Sequence, residues 1–79
     1  MINHAFPYQY KIIQTSHILE NTKYISFGIS LISIKNNTEI DRIEDITTSL
    51  SQLAELVKLC NNLRLDPIHF HDVIQDFIS

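Results

Sequence analysis

The change in hydrophobic spacing near Ser49 constrains the fold of this chain more than any other feature of its sequence. Before that point apolar and polar residues alternate, as between Ile25 and Leu31, where the apolar residues are separated by serines and Gly28. A period of two is typical of a strand with one buried face. After Ser49 the apolar residues recur every three or four positions, which is typical of amphipathic helices. The sequence therefore predicts strands followed by helices.

Three strands are predicted in the first part of the chain. They cover Tyr8 to Leu19, Tyr24 to Lys35 and roughly Glu39 to Glu44. The polar residues 20–23 and the pair Asn36 and Asn37 lie between them, and Asn suits hairpin turns because it tolerates positive φ. Gly28, inside the second strand, indicates a bulge or the close approach of another group. We expect these strands to form an antiparallel meander.

Two helices are predicted near residues 48–62 and 67–78. Ser49 and Gln52 have the spacing of a capping box, Asp66 can cap the second helix, and Pro67 suits a first helical position. The fold class is therefore α+β, a three-stranded antiparallel β-meander followed by a two-helix hairpin packed on one sheet face (β-β-β-α-α). The predicted core consists of Phe27, Ile29, Leu53, Val57, Phe70, Val73, Ile74 and Phe77.

Length and composition favour a single small domain over residues 1–79, with residues 1–7 expected as a disordered N-terminal tail. The single cysteine, Cys60, cannot form an internal disulfide, and this predicts a reducing, cytoplasmic location. No signal peptide pattern is visible. The apolar stretch from Tyr24 to Ile34 is short and interrupted by serines, so no membrane association is expected.

The charge and motif content excludes several classes of function. The formal net charge is −3, and no basic patch is present, so nucleic acid is not an expected partner. The chain has no phosphate-binding loop, nucleophile elbow, zinc-ligand spacing or dinucleotide fingerprint. We therefore expect no catalytic residue, no cofactor and no enzymatic activity. Cys60 lies on an apolar helical stripe and is interpreted as a small buried hydrophobe.

His69, Asp72 and Asp76 form the most distinctive polar group. Their spacing of three and four residues places them on one helix face. A histidine with two carboxylates can bind a divalent metal ion. The same face can bind a protein partner, and a solvated polar face opposite the apolar stripe is the simplest interpretation. The three interpretations remain open at this stage.

Ile13, Ile32 and Ile34 fall outside the best apolar alternation of the strands. Either they lie on the sheet face away from the helices, or bulges return them to the core. An exposed apolar patch on that face would favour a homodimer or another protein partner. Ile32 and Ile34 are therefore partner-binding candidates, together with the polar face of the second helix.

Three segments carry a resemblance to a known family. They are Tyr24-x-x-x-Gly28-Ile29, Asp45-Ile46-Thr47 and Asn62-x-x-Leu65-x-Pro67-Ile68-His69-x-x-Asp72-Val73-x-x-Asp76-Phe77. In these segments the chain resembles a family of short, uncharacterised proteins of clostridia-like bacteria, catalogued only as a domain of unknown function. That family has an acidic residue where this chain has Gln75. The resemblance implies no established activity, so it assigns no catalytic residue.

These observations together predict a small bacterial interaction or regulatory module without catalytic activity, with an unknown protein partner or as a homodimer. A second hypothesis is a metal- or small-ligand-binding domain that uses His69, Asp72 and Asp76. A third is an inhibitor of a host protein, encoded by a phage or mobile element.

Overall fold

The computed structural model, which describes residues 5–79, contains three strands followed by two helices. Strands β1, β2 and β3 cover Tyr8–Leu19, Thr22–Ser33 and Thr38–Thr47; helices α1 and α2 cover Leu50–Asn62 and Phe70–Ile78. The strands form one antiparallel sheet in the order β1-β2-β3. Helix α1 packs on β1 and β2, and α2 contacts β3. The predicted β-β-β-α-α fold is confirmed.

Two tight turns define the meander. Between β1 and β2 only Glu20 and Asn21 are unpaired, and both have positive φ, 50° and 65°. Positive φ at both central residues characterises the type I′ turn, whose twist matches that of the flanking strands. Between β2 and β3 the positive φ of 51° falls on Asn37, within the predicted turn.

Two bulges shift the register between β2 and β3. Ile29 lies opposite Ile43 while Phe27 lies opposite Thr47, so β3 holds two extra residues there. Gly28 sits beside this bulge, and a Cβ atom at its position would overlap the Ile43 carbonyl oxygen and lie 2.8 Å from the Glu44 Cα. The close approach predicted from the glycine is therefore an approach of the β3 backbone.

Both predicted caps form, but only that of α1 directly precedes an α-helix. The Ser49 hydroxyl accepts a hydrogen bond from the Gln52 N–H at 3.4 Å, and the Asp66 carboxylate accepts one from the Ile68 N–H at 3.0 Å. Asp66 caps a 3₁₀ turn, Pro67–His69, and α2 starts only at Phe70. The second helical segment is thus a tight turn followed by a nine-residue α-helix.

The core lies between the sheet and the two helices. Its buried apolar side chains are Tyr10, Ile29, Leu31, Leu53, Val57, Cys60, Phe70 and Ile74. Five of the eight predicted core residues are in this set, while Phe27, Val73 and Phe77 are half-buried at its margin. Tyr10 and Leu31 complete the set on the sheet side. The ring of Tyr10 lies 5.4 Å from that of Phe70, centroid to centroid.

Asn61 and Tyr10 join the helices to β1. The Asn61 side-chain oxygen accepts a hydrogen bond from the Tyr10 N–H, and its amide group donates one to the Tyr10 carbonyl, both at 2.9 Å. The Tyr10 hydroxyl donates to the Leu65 carbonyl at 2.7 Å. On the other side of the fold, the His71 ring lies 2.7 Å from the Asp41 carboxylate and links α2 to β3.

The predicted N-terminal tail, residues 1–7, lies partly outside the described residues, which begin at Ala5. Phe6 packs edge-on against Tyr8, with ring centroids 5.6 Å apart, and the Pro7 carbonyl accepts a hydrogen bond from the Ile34 N–H at 2.9 Å. Within residues 5–79, neither helix has the length and apolar character needed to cross a bilayer.

Candidate functional site

The β1–β2 hairpin extends beyond the rest of the fold. Strand β3 pairs with β2 only as far as Phe27, opposite Thr47, whereas β1 and β2 remain paired up to Leu19 and Thr22. Residues 15–26, here called the hairpin overhang, therefore form a two-stranded ribbon roughly 17 Å long at about 3.4 Å per residue. The protein accordingly measures 57 Å along its longest axis, against 26 and 19 Å along the others.

The hairpin overhang exposes four large hydrophobic side chains. They are Ile18 (77% exposed), Leu19 (64%), Ile25 (41%) and Tyr24 (39%). By the alternation of side chains, Ile18 and Ile25 lie on the side of the sheet that carries the helices, and the other two lie on the opposite side. An isolated two-stranded ribbon is at best marginally stable in water. Apolar exposure on such a ribbon is typical of a contact surface.

The sheet face opposite the helices, here called the open face, carries a polar cluster at the base of the overhang. The His17 ring stacks on Tyr24, with centroids 4.7 Å apart. Its Nε2 atom lies 2.7 Å from the hydroxyl of Ser26 and 3.7 Å from the carboxylate of Asp45. Asp45 belongs to the bulge in β3 and has a positive φ of 53°. The cluster therefore connects all three strands.

Serine, histidine and aspartate also form hydrolase triads, but the geometry here is different. In a triad the serine contacts one ring nitrogen of the histidine and the carboxylate contacts the other. Here Ser26 and Asp45 both approach Nε2 of His17. Ser26 is also fully buried, so its hydroxyl does not face a substrate. The cluster satisfies a buried hydroxyl and stiffens the base of the overhang.

The outer edge of β1 is open over most of its length. Since Asn61 bonds both the N–H and the C=O of Tyr10, those groups point away from β2. The direction of backbone groups alternates along an antiparallel strand. The corresponding groups of Ile12, Gln14, Ser16 and Ile18 therefore also point outward, and no group within residues 5–79 pairs with them. These four residues are the free β1 edge. The segment from Ile12 to Leu19 contains no Asp, Glu, Lys or Arg.

The outer edge of β3 has the opposite character. The Arg42 N–H, which points outward, is bound by the Asp41 carboxylate at 2.7 Å. The Arg42 guanidinium bonds Glu39 at 2.9 Å and Glu44 at 3.0 Å. Hydrogen bonds from Arg42 and then from Ser30 lower the pKa of Glu39. Charges and bulges are the usual means by which proteins prevent pairing at a sheet edge, so β3 is a protected edge.

The predicted polar face of the second helix is exposed. His69 ends the 3₁₀ turn, Asp72 lies in the first turn of α2 and Asp76 lies one turn further on. Asp72 stabilises α2, because a negative charge in the first turn interacts favourably with the positive end of the helix dipole. Within the part of the chain that the structure describes, no three His, Cys, Asp or Glu side chains are grouped to hold a metal ion.

The two isoleucine candidates have different surroundings. Ile32 lies opposite Gln9 and Glu39, on the face away from the buried Leu31, and is half-buried. Ile34 follows the end of β2 and is exposed. Ile32 therefore belongs to the open face, whereas Ile34 lies in the turn at the far end from the hairpin overhang.

An apolar cleft lies between the two helices. Its volume is about 220 Å³, and it is lined by Leu56, Leu59, Cys60, Leu63, Leu65 and Val73. Burial raises the pKa of the Cys60 thiol, which keeps it protonated and unreactive at neutral pH. Cys60 thus serves as a wall of this cleft.

Sequence reasoning did not select Ile18, Leu19, Tyr24 or Ile25 as surface residues. Their alternation resembles that of a strand with a buried face, and the sequence contains no sign that β3 and the helices end before them. The one available signal was the absence of charged side chains from Ile12 to Leu19. Charged side chains normally protect an exposed edge strand against pairing, so a strand without them is open to the addition of another strand.

Comparisons with known proteins support a family assignment. No curated protein and no solved structure matches the chain. A family model described as "Family of unknown function (DUF6514)" matches residues 2–79, which include both helices and all three strands. The chain therefore belongs to the DUF6514 family.

Proposed function

We propose that this protein is a non-catalytic protein-interaction module, and that the hairpin overhang is its contact surface. The observation that carries the proposal is the exposure of Ile18, Leu19, Tyr24 and Ile25 on a ribbon that extends beyond the last residue paired with β3. These side chains lie near the β1–β2 turn, two on each face of the sheet. A partner that covers them removes apolar surface from water and supports a ribbon that is weak by itself.

The charge distribution favours a protein partner. The hairpin overhang carries Lys23 and Glu20 beside its apolar side chains, whereas the net charge of the chain is −3. Nucleic-acid binding requires a concentration of positive charge to displace counterions from phosphates. The proposed module acts in the cytoplasm, where a single free cysteine stays reduced.

The proposal is tested by site-specific photo-crosslinking in the native cell. A benzophenone amino acid replaces Leu19 in the overhang, and the matched control replaces Gln75, an exposed residue of α2. We expect polypeptide adducts, identified by mass spectrometry, from position 19 and not from position 75. Adding Ile18→Ser and Ile25→Ser should remove the adducts. Equal adducts at both positions, or none at position 19, would contradict the proposal.

A further inference from the structure

The free β1 edge is a continuous run of outward backbone groups that have no partner within residues 5–79. It consists of the N–H and C=O groups of Ile12, Gln14, Ser16 and Ile18. The edge is bounded on both sides: Asn61 occupies the groups of Tyr10, and the chain turns at Glu20. It is uncharged and regularly paired with β2, without a bulge. Such an edge is a template for the addition of another strand.

We infer that the occupant of this edge is the β1 strand of a second copy of the chain, so that two sheets join into one six-stranded antiparallel sheet. This inference rests on the proposed function and names its partner. The edge permits such a two-fold contact, because its free residues are centred on Thr15. A two-fold axis at Thr15 pairs each outward residue of one copy with an outward residue of the other.

In this register every free backbone group is used. Ile12 lies opposite Ile18 of the partner subunit, and Gln14 lies opposite Ser16 of the partner subunit. The two-fold axis repeats each of these pairs, which gives four hydrogen-bonded residue pairs. Each pair exchanges two backbone hydrogen bonds, about eight in all. Moving the axis to Gln14 places Ile18 opposite Tyr10, whose backbone groups already bind Asn61. Moving it to Ser16 places Ile12 opposite Glu20, in the turn. Either shift reduces the number of hydrogen-bonded residue pairs.

The side chains agree with the same register. On the side of the helices, Ile12 meets an isoleucine and Gln14 meets a serine, so that apolar faces apolar and polar faces polar. On the open face, Thr15 meets Thr15 of the partner subunit, a favourable cross-strand pair. The exposed Ile18 is brought beside Ile12, which is half-buried at the margin of the core. The isologous contact is closed, as expected for a homodimer.

The protected edge at β3 supports the choice of β1. Its ion pairs and two bulges prevent a second strand from adding there. The assembly therefore ends at two copies, with a protected edge at each end of the continuous sheet. A fibre would require two free edges on each copy.

The inference is tested first on the unmodified protein by sedimentation velocity and amide hydrogen exchange. We expect a dimer, with the N–H groups of Ile12, Gln14, Ser16 and Ile18 gaining at least about tenfold protection as protein concentration rises through the dissociation constant. The N–H groups of Ile13 and Thr15, which already pair with β2, serve as internal references. A monomer at all concentrations, or a dimer whose free β1 edge exchanges rapidly, would overturn the inference.

Disulfide crosslinking then tests the register. Thr15→Cys places two thiols on the axis, where non-hydrogen-bonded neighbours have Cα atoms about 4.5 Å apart, within reach of a disulfide. Ile13→Cys is the matched control, because its two copies are four residues apart along the strands. We expect rapid oxidation to a covalent dimer only for Thr15→Cys. Crosslinking of Ile13→Cys instead would overturn the register.

A charge variant tests the edge without oxidation. Gln14→Lys with Ser16→Lys places each new lysine opposite a lysine of the partner subunit, and we expect dimerisation to weaken at least about tenfold. Ala54→Lys with Gln75→Lys adds the same charge on exposed helix positions and should leave it unchanged. Equal effects of the two variants would overturn the inference. If the purified protein is a monomer but Leu19 crosslinks to a different protein, the inference fails while the proposed function stands.

Discussion

Replacing Asn61 by alanine tests the contact that holds the helical hairpin on the sheet. Asn61 makes two hydrogen bonds with the Tyr10 backbone, each 2.9 Å long, across 51 residues of sequence. Each intramolecular hydrogen bond contributes about 1 kcal/mol net. The variant also leaves the N–H and C=O of Tyr10 without a protein partner, at a residue whose side chain is fully buried.

The magnitude follows from these two terms. Loss of both bonds lowers the free energy of unfolding by about 2 kcal/mol, and incomplete solvation of the Tyr10 groups raises the loss to about 3 kcal/mol. The higher helix propensity of alanine returns up to about 0.7 kcal/mol. Asn62→Ala gains the same propensity one residue further on, at an exposed position. The difference between the two variants therefore isolates the contact with Tyr10.

Urea unfolding followed by circular dichroism measures this difference. We expect Asn61→Ala to be about 2–3 kcal/mol less stable than Asn62→Ala, with an unchanged m-value. Protein concentration is held constant, because association makes apparent stability depend on it. If the two variants unfold at the same urea concentration, the Asn61 side chain does not hold β1 and the account of the β1 edge is wrong.

Three further predictions concern Tyr10, Gly28 and Cys60. Burial raises the pKa of Tyr10 from 10.0 to about 12, so its contribution to stability is complete below pH 10 and is lost as pH rises to 12. Tyr10→Phe should remove this part of the alkaline fall in melting temperature, whereas Tyr24→Phe should retain it. Gly28→Ala should lower the free energy of unfolding, measured in urea, by about 1–3 kcal/mol, because the new methyl group meets the β3 backbone. An unchanged urea midpoint would contradict the close approach. Cys60 should react with a thiol reagent only after unfolding, because it is buried, and rapid labelling of the native protein would show that the cleft opens.

The sequence was sufficient to predict the elements whose periodicity is regular. The spacing of Leu53, Val57, Phe70 and Ile74 placed both helices and their buried faces. The end of β3 was predicted at Glu44 rather than Thr47, because the bulge around Asp45 interrupts the alternation from which a strand is predicted. The 3₁₀ turn before α2 was not distinguished from an α-helix, since Asp66 and Pro67 are equally suitable for either beginning.

The burial of Tyr10 and the exposure of Ile18 could not be predicted, for one physical reason. Both residues lie on the same side of β1, and their local patterns are alike. Tyr10 is covered because Phe70, Asn61 and Leu65, more than fifty residues away, meet it. Ile18 is exposed because β3 and the helices end short of it. Long-range packing decides both cases, and a period of two carries no information about it.

The same long-range packing connects stability with the proposed assembly. Asn61 acts on the sheet as a short strand would, because its amide pairs with both backbone groups of one β1 residue. It thereby fixes α1 on β1 and also sets one end of the free β1 edge, while the turn at Glu20 sets the other. An edge limited to Ile12–Ile18 has its midpoint at Thr15. If Asn61 were removed, Tyr10 would join the edge and the midpoint would move to Gln14. In the Asn61→Ala background we therefore expect Thr15→Cys to crosslink more slowly and Gln14→Cys to gain crosslinking, and unchanged rates would show that the clamp does not set the register.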